Sequence, residues 1–409
     1  MRLLSLSLCF AFAQAAQAGG YDTPMLYAGE HMGMGGAAVA AVDDPSALFH
    51  NPAGLAQIKK GSALVHVTYL SGTVTGSPGT SPQATSITSQ PTSAPFPLLG
   101  FAYRLHPKIV LGLGAFPIAS AGATYVYDGG VNTVNDSTTL IFAEAGPALA
   151  LDLGKIRLGL SYRYTYMMLE RYQGGEGAEP VIDFTLTGSH NSGFRVGLQA
   201  DLLKGRNGNL SAGLNYRHQV IMRPSDPEAR ALGMPVTDVT SRFMLPSRIV
   251  AGLRFDEGNW GVAADVEYGF NSQNQRSALS AKFNGEEIPP LANIFGWRDA
   301  LTYRFGVEHR LANRIKLRLG GAYDETTSNK SYPTAFGTPP APTTVVGGGL
   351  GKRFGALTVD FSMVRRRGQA RVSHEDLSAA EESCVFCSKA GNYAIDLFGT
   401  YLSFGYDLN

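Results

Sequence analysis

Apolar and polar residues alternate with a period of two along most of the chain. Between residues 158 and 168, Leu158, Leu160, Tyr162, Tyr164, Tyr166 and Met168 fall on one side, and Gly159, Ser161, Arg163, Thr165 and Met167 on the other. Leu301, Tyr303, Phe305 and Val307 oppose Thr302, Arg304, Gly306, Glu308 and Arg310. Ile315, Leu317, Leu319 and Tyr323 oppose Lys316, Arg318, Gly320 and Asp324 in the same way. At the end of the chain, Phe398, Thr400, Leu402, Phe404, Tyr406 and Leu408 oppose Gly399, Tyr401, Ser403, Gly405 and Asp407. Successive side chains of a strand point to opposite sheet faces. These runs therefore predict strands with one apolar, aromatic face.

The connections between runs alternate in length. Short turns are expected at His106-Pro107-Lys108, Gly154-Lys155, 204–208, 256–259, Ala312-Asn313 and Gly355. Long loops are expected near 74–94, 120–137, 173–180, 223–241, 271–296, 326–342 and 371–392. About 14 strands fit between residue 61 and the end, an even number arranged as hairpins with short turns at one end and longer loops at the other. A secreted, soluble β-sandwich would share the period of two. Strand length, the Tyr-rich apolar faces and the closing run favour a barrel that turns its apolar face to lipid.

Composition sharpens this picture. Only 16% of residues are charged, and there are 49 Gly, 18 Tyr and 21 Phe. Outside the N-terminus no run of 18 or more apolar residues occurs, so helical membrane spans are not expected. Lys and Arg number 34 against 33 Asp and Glu, a balance that disfavours nucleic acid as a partner. Residues 1–18 read as an export signal: Arg2, an apolar stretch from Leu3 to Ala13, and Ala16-Gln17-Ala18 before Gly19.

One stretch breaks the alternation. Gly33 to Gln57, GMGGAAVAAVDDPSALFHNPAGLAQ, is rich in small residues and repeatedly interrupted. Asp43-Asp44-Pro45-Ser46 reads as a turn that caps a short helix. Asn51-Pro52-Ala53-Gly54 reads as a second turn, because the residue before Pro avoids the α region and Gly ends local helix. This block resembles the N-terminal hatch of the FadL family, outer-membrane channels for long-chain fatty acids and other hydrophobic compounds. Further segments are similar to strands of that family: Leu245-Pro246-Ser247-Arg248 onwards, Asp265-x-Glu267-Tyr268, Trp297-Arg298-Asp299, Arg318 to Asp324, and Gly347 to Gly351 followed by Asp360.

The resemblance implies an all-β fold, a transmembrane antiparallel β-barrel of about 14 strands whose lumen is plugged by an N-terminal hatch. The domains would be a signal peptide at 1–18, the hatch at 19–60 and the barrel at 61–409. It implies a monomer in the bacterial outer membrane, in contact with membrane lipid and lipopolysaccharide. Its cargo would be a hydrophobic small molecule such as a fatty acid or an aromatic hydrocarbon, taken up passively. No cofactor, metal or enzymatic activity is expected.

Candidate functional residues follow from that reading. Asp43, Asp44, Asn51, Pro52 and Ala53 would form the gating part of the hatch, or a static turn that fixes it to the wall. In 109–118 both strand faces are apolar or small, and Pro117 removes a ladder donor. Gly112, Gly114, Phe116, Pro117 and Ile118 would then line the lumen or a sideways exit through a kinked strand. The alternative is that Pro117 ends its strand at the outer rim. Arg163, Arg217, Arg254, Arg304 and Arg318 are possible contacts for a carboxylate headgroup, or members of salt-bridge networks with Asp265, Glu267, Glu308 and Asp360. Cys384 and Cys387 lie in the last long loop and suit a local disulfide; with only His374 nearby they do not suit a metal. A non-transporting secretion or assembly partner is one alternative function. A surface lipase using Ser189-His190-Asn191-Ser192 is another, with Ser192 on the same strand side as His190.

Overall fold

The computed structural model describes residues 27–79, 86–206, 208–231, 233–384 and 386–408. The expected export signal and residues 19–26 of the expected hatch lie outside these.

Fourteen antiparallel strands form the wall: β1 Gly61–Gly76, β2 Thr92–His106, β3 Ile109–Asp128, β4 Thr133–Asp152, β5 Ile156–Gly175, β6 Ile182–Gly205 and β7 Gly208–Arg217 come first. They are followed by β8 Arg248–Glu257, β9 Trp260–Gly269, β10 Ala300–Arg310, β11 Ile315–Asp324, β12 Thr343–Phe354, β13 Leu357–Val372 and β14 Gly391–Leu408. Neighbours in this order pair with one another, and β14 closes on β1 from Gly61↔Leu408 to Thr75↔Ala394. Closure removes the open edges that would otherwise invite other chains.

The alternation is oriented as a lipid-facing barrel requires. On β5, Leu158, Leu160, Tyr162, Tyr164 and Tyr166 are exposed, while Gly159, Ser161, Arg163 and Thr165 are buried. β10 and β14 repeat this, with Tyr303, Phe305, Phe398 and Phe404 outside and Arg304, Glu308 and Ser403 inside.

All six expected short turns are present. Three of the expected long loops are not simple loops. Residues 120–137 belong mostly to β3 and β4, which run on to a turn at 129–132. Their small residues pack too closely for a loop: a Cβ on Gly122 would overlap the Thr138 carbonyl. The 223–241 region folds into a hairpin, Ser225–Ala231 with Met234–Thr240, and 271–296 contributes Arg276–Phe283. These pieces pair with β6 and with each other, raising the wall on that side.

Two outer loops, 326–342 and 373–390, fold inward and are stitched together. Ser388 N–H donates to Pro333 O at 2.8 Å, and Ala335 N–H donates to Ser388 Oγ at 2.8 Å. Tyr332 Oη accepts from the N–H groups of Glu381 and Glu382, both at 3.1 Å. A short helix, His374–Ser378, starts with a capping box in which Ser373 and Asp376 satisfy each other's backbone donors. Ser373 N–H and the Ser373 hydroxyl both donate to Asp376 Oδ2 and hold its carboxyl below its usual range. Cys384 and Cys387 are joined in a disulfide within the same loop.

Candidate functional site

The chain from Tyr27 to Ile58 lies inside the barrel, in the half nearest the short turns. It holds two single-turn helices, Gly29–Met32 and Ala47–His50, and a 3-10 helix, Pro52–Gln57. Gly54 therefore sits within helix instead of ending one; a Cβ there would overlap the Val42 carbonyl. Before the second helix, Asp44 Oδ1 accepts from Ser46 N–H at 2.8 Å, and Asp43 beside it is exposed.

Asn51 is the main tie between this segment and the wall. Its backbone is extended, as the following proline requires. Its side chain, fully buried, donates to Val39 O at 2.8 Å and to Leu198 O on β6 at 3.0 Å. It also accepts from Ala53 N–H at 3.2 Å. This close approach requires Gly159 and Gly197 on the adjoining strands, where any Cβ would overlap Pro52, Ala53 or Asn51. Gly112 and Gly114 of β3 play the same part for Leu48 and Leu55. Asn51→Ala removes the donor to Leu198 O and one of two donors to Val39 O, which keeps Gln199 Nε2 at 3.2 Å, so a loss of about 1 kcal/mol is expected. A lowered midpoint in denaturant unfolding from detergent would show it.

Charged side chains hold the rest of the segment. Asp265 accepts from Ala38 and Val39 N–H at 2.8 and 3.1 Å, and Arg195 donates to Leu48 O at 2.6 Å. Arg318 pairs with Glu308 at 2.8 Å, Asp360 at 2.6 Å and Glu30 at 3.2 Å. Arg254 pairs with Asp256 and Glu308, Arg304 with Glu267 at 2.9 Å, and Arg163 with Glu144. Arg217 donates to Pro246 O at 2.8 Å. The five arginines singled out in the sequence are thus all buried and engaged. Arg217 and Arg304 line a polar void of about 50 Å³ against the segment.

Above the segment, under the two stitched loops, is an apolar cavity of about 270 Å³. Leu140, Phe184, Leu186, Phe243, Leu279 and Trp297 form its walls, with Tyr332, Phe336 and Phe386 in its roof. None of the five arginines lines it. Among the described residues the one cation that does, Arg171, is held by Asp136 and lies 4.7 Å from the Phe336 ring centroid. The aromatic lining has no local signal in the sequence, because its members are scattered over five strands and loops.

Ala121 carries this cavity to β3, where the wall is incomplete. β2 pairs with β1 from Gly72↔Thr92 to Gly61↔Tyr103, but with β3 only from Leu99↔Ala115 to His106↔Ile109. Residues 92–98 of β2 therefore have no ladder partner on β3. The gap is closed at its outer end, where Gln90 N–H donates to Thr124 O at 2.8 Å. Pro95 and Pro97 lie in the unpaired stretch of β2 and share one parity, so both missing donors face the same neighbour. The neighbour that keeps its register is β1, and the one that loses it is β3. On the other side, β3 shifts register against β4 between Pro117 and Ala119, making a bulge at Ile118.

Phe116, Pro117 and Ile118 are therefore at the gap, and Pro117 is far from the rim because β3 continues to Asp128. Gly112 and Gly114 are below it, still paired to β2 and β4 and facing the lumen. Phe96, Leu98, Phe116 and Ile118 are all buried around the opening. Tyr27 stops it from within: its hydroxyl donates to Pro117 O, and its ring meets Phe49 edge-on at 5.1 Å.

The Ser/His cluster lies elsewhere, on β6. Ser192 Oγ is 3.0 Å from His190 Nε2, and His190 Nδ1 is 2.9 Å from Ile221 O. The imidazole thus takes a backbone carbonyl on its second nitrogen, with no carboxylate or amide side chain as a third member among the described residues.

No family model matches this chain, and no curated protein does. Solved structures do. A FadL homologue from Pseudomonas aeruginosa is similar with a TM-score of 0.73 at 14% identity, covering 96% of this chain and 100% of that one. A deltaS2S3 mutant of the TodX monoaromatic hydrocarbon channel gives 0.71 at 16% identity, over 95% and 100%. The Ralstonia pickettii toluene transporter TbuX gives 0.67 at 17% identity, over 96% and 99%. The chain shares the fold of these channels.

Proposed function

We propose that this chain, which has the FadL-type fold, is a member of that family and a passive outer-membrane channel for hydrophobic small molecules. The reading is supported by an apolar cavity whose lining reaches Ala121 on β3, beside the stretch where residues 92–98 of β2 have no ladder partner on that strand. A ligand enters under the outer loops, rests in the cavity and leaves sideways into the membrane. The energetics favour that exit, because a hydrocarbon gains about 0.8 kcal/mol for each methylene it buries in lipid. Leaving through the lumen would instead require displacing the segment 27–58 and then entering water.

In this scheme the residues around Asn51 hold the hatch, and Tyr27 is the stop that must withdraw from Pro117. Arg318 and Arg254 tie the hatch to the wall through Glu30 and Met34, Arg163, Arg217 and Arg304 bind Glu144, Pro246 O and Glu267 instead, and in this scheme none of the five contacts cargo. Among cargoes, the cavity favours an uncharged aromatic hydrocarbon over a fatty acid. Its size lies just under the usual range for ligand pockets of about 300–1,000 Å³, which suits a compact molecule. A carboxylate would have to take Arg171 from Asp136 or stay unpaired in an apolar lining, which is costly. Solved relatives with this fold include proteins described as toluene or monoaromatic hydrocarbon channels.

Proteoliposome uptake of a monoaromatic hydrocarbon and of a long-chain carboxylate, compared at equal concentration, tests this. Faster entry of the hydrocarbon than in protein-free liposomes, with little carboxylate entry, is expected. The reverse preference would restore the fatty-acid reading. No uptake of either would remove the transport function and leave the secretion-partner alternative.

A further inference from the structure

The outward face of β13 carries cations where other strands carry aromatic rings. From the short-turn end outwards its exposed side chains are Phe361, Met363, Arg365, Arg367, Gln369 and Arg371. The first two belong to the apolar band. In register, Arg365 is level with Val346 of β12 on one side and Phe398 of β14 on the other, both exposed members of that band. The guanidinium groups therefore begin at its upper edge. On β10 and β11 the outward side chains towards the outer end include Tyr303 and Tyr323.

These cations are under-compensated. Arg365 and Arg367 share a single carboxylate, Asp396 of β14, at 2.8 and 3.0 Å. Their side chains remain 52% and 58% exposed. Arg371, further out, pairs with no carboxylate among the described residues. Arg366, of opposite parity, points inward to Asp324 and takes no part. Three cations against one anion thus face outward at the level where headgroups begin.

We propose that Arg365, Arg367 and Arg371 form a docking site for the phosphate groups of an anionic lipid in the outer leaflet. Its acyl chains would lie on Phe361, Met363 and Phe398. Guanidinium forks match phosphate oxygens in a bidentate geometry, and basic residues near an anionic membrane surface are drawn to it. A bound phosphate takes the exposed donors of Arg365 and Arg367 in competition with Asp396. The proposal rests on the reading of the chain as an outer-membrane barrel.

The test is native mass spectrometry of the full chain released from phosphatidylcholine nanodiscs doped with lipid A or with dephosphorylated lipid A. The wild type is expected to retain lipid A and not its dephosphorylated form. R365Q/R367Q/R371Q should lower that retention about tenfold or more. D396N should raise it, because both forks are then released; a purely structural Arg–Asp pair would make D396N behave like the triple variant. Equal retention by wild type and triple variant, or loss in D396N, overturns the proposal. Displacement of lipid A by millimolar inorganic phosphate would assign the arginines to a soluble anion and also overturn it. Failure of the wild type to enter nanodiscs would instead overturn the membrane reading, and this proposal with it.

Discussion

Replacing Gly159 and Gly197 together with leucine is expected to expel the N-terminal segment from the barrel and turn a closed channel into an open pore. Both glycines face Asn51, Pro52 and Ala53 so closely that a single added carbon would overlap backbone or amide atoms of that segment. Overpacking typically costs about 1–3 kcal/mol per site, and here the obstructing atoms are backbone of Pro52 and Ala53 at Gly159 and the buried Asn51 amide with the Pro52 ring at Gly197. The strands on which the glycines lie are laddered on both sides and will not yield. The segment must move, and with it goes the Asn51 bond to Leu198 O. In planar bilayers the double variant should show resolved conductance steps that the wild type lacks. Heat-modifiable migration on gels would confirm that the barrel still forms. A folded double variant that conducts no better than wild type would mean that the segment is not the barrier.

Substituting valine for Pro95 and Pro97 is expected to close the wall and slow release of cargo. Each change returns a backbone donor to β2 on the side of β3. A backbone hydrogen bond is worth about 0.5–1.5 kcal/mol net, so two new rungs stabilise a zipped wall by about 1–3 kcal/mol. Uptake into proteoliposomes should fall about tenfold or more, since 1.4 kcal/mol is a factor of ten. Binding in the cavity should be unchanged, and quenching of Trp297, which lines it, provides the separate readout. Parallel loss of binding and uptake would show that the prolines shape the cavity and not the exit.

The wall was largely legible because a barrel writes its orientation into every strand. The β5 alternation, with its run of tyrosines against Gly159, Ser161 and Arg163, is visible residue by residue, and so are turns such as Gly154-Lys155. Where small residues dominate, the pattern fails. Gly122 and Ala121 on β3 and Thr138 and Thr139 on β4 look like loop, yet they are strand because their size permits tight pairing. The N-terminal segment was legible as a break in the alternation, and Pro117 lies where β3 shifts register against β4. The other half of the gap was not seen: Pro95 and Pro97 sit beside a long loop and only acquire meaning once β2 is known to pair on one side. The cavity was beyond sequence reasoning altogether. Phe243, Leu279, Trp297 and Phe336 come together through outer loops whose folding no local period encodes.

The most direct test of a lateral exit is photolabelling of the full chain in liposomes with an aryl diazirine hydrocarbon, followed by peptide mass spectrometry. Adducts are expected on the cavity lining, at Phe184, Leu186 or Phe243, and at the gap, at Phe96, Leu98 and Ile118. Adducts on the cavity together with Val42, Gln57 and Ile58 of the N-terminal segment, and none at the gap, would contradict it.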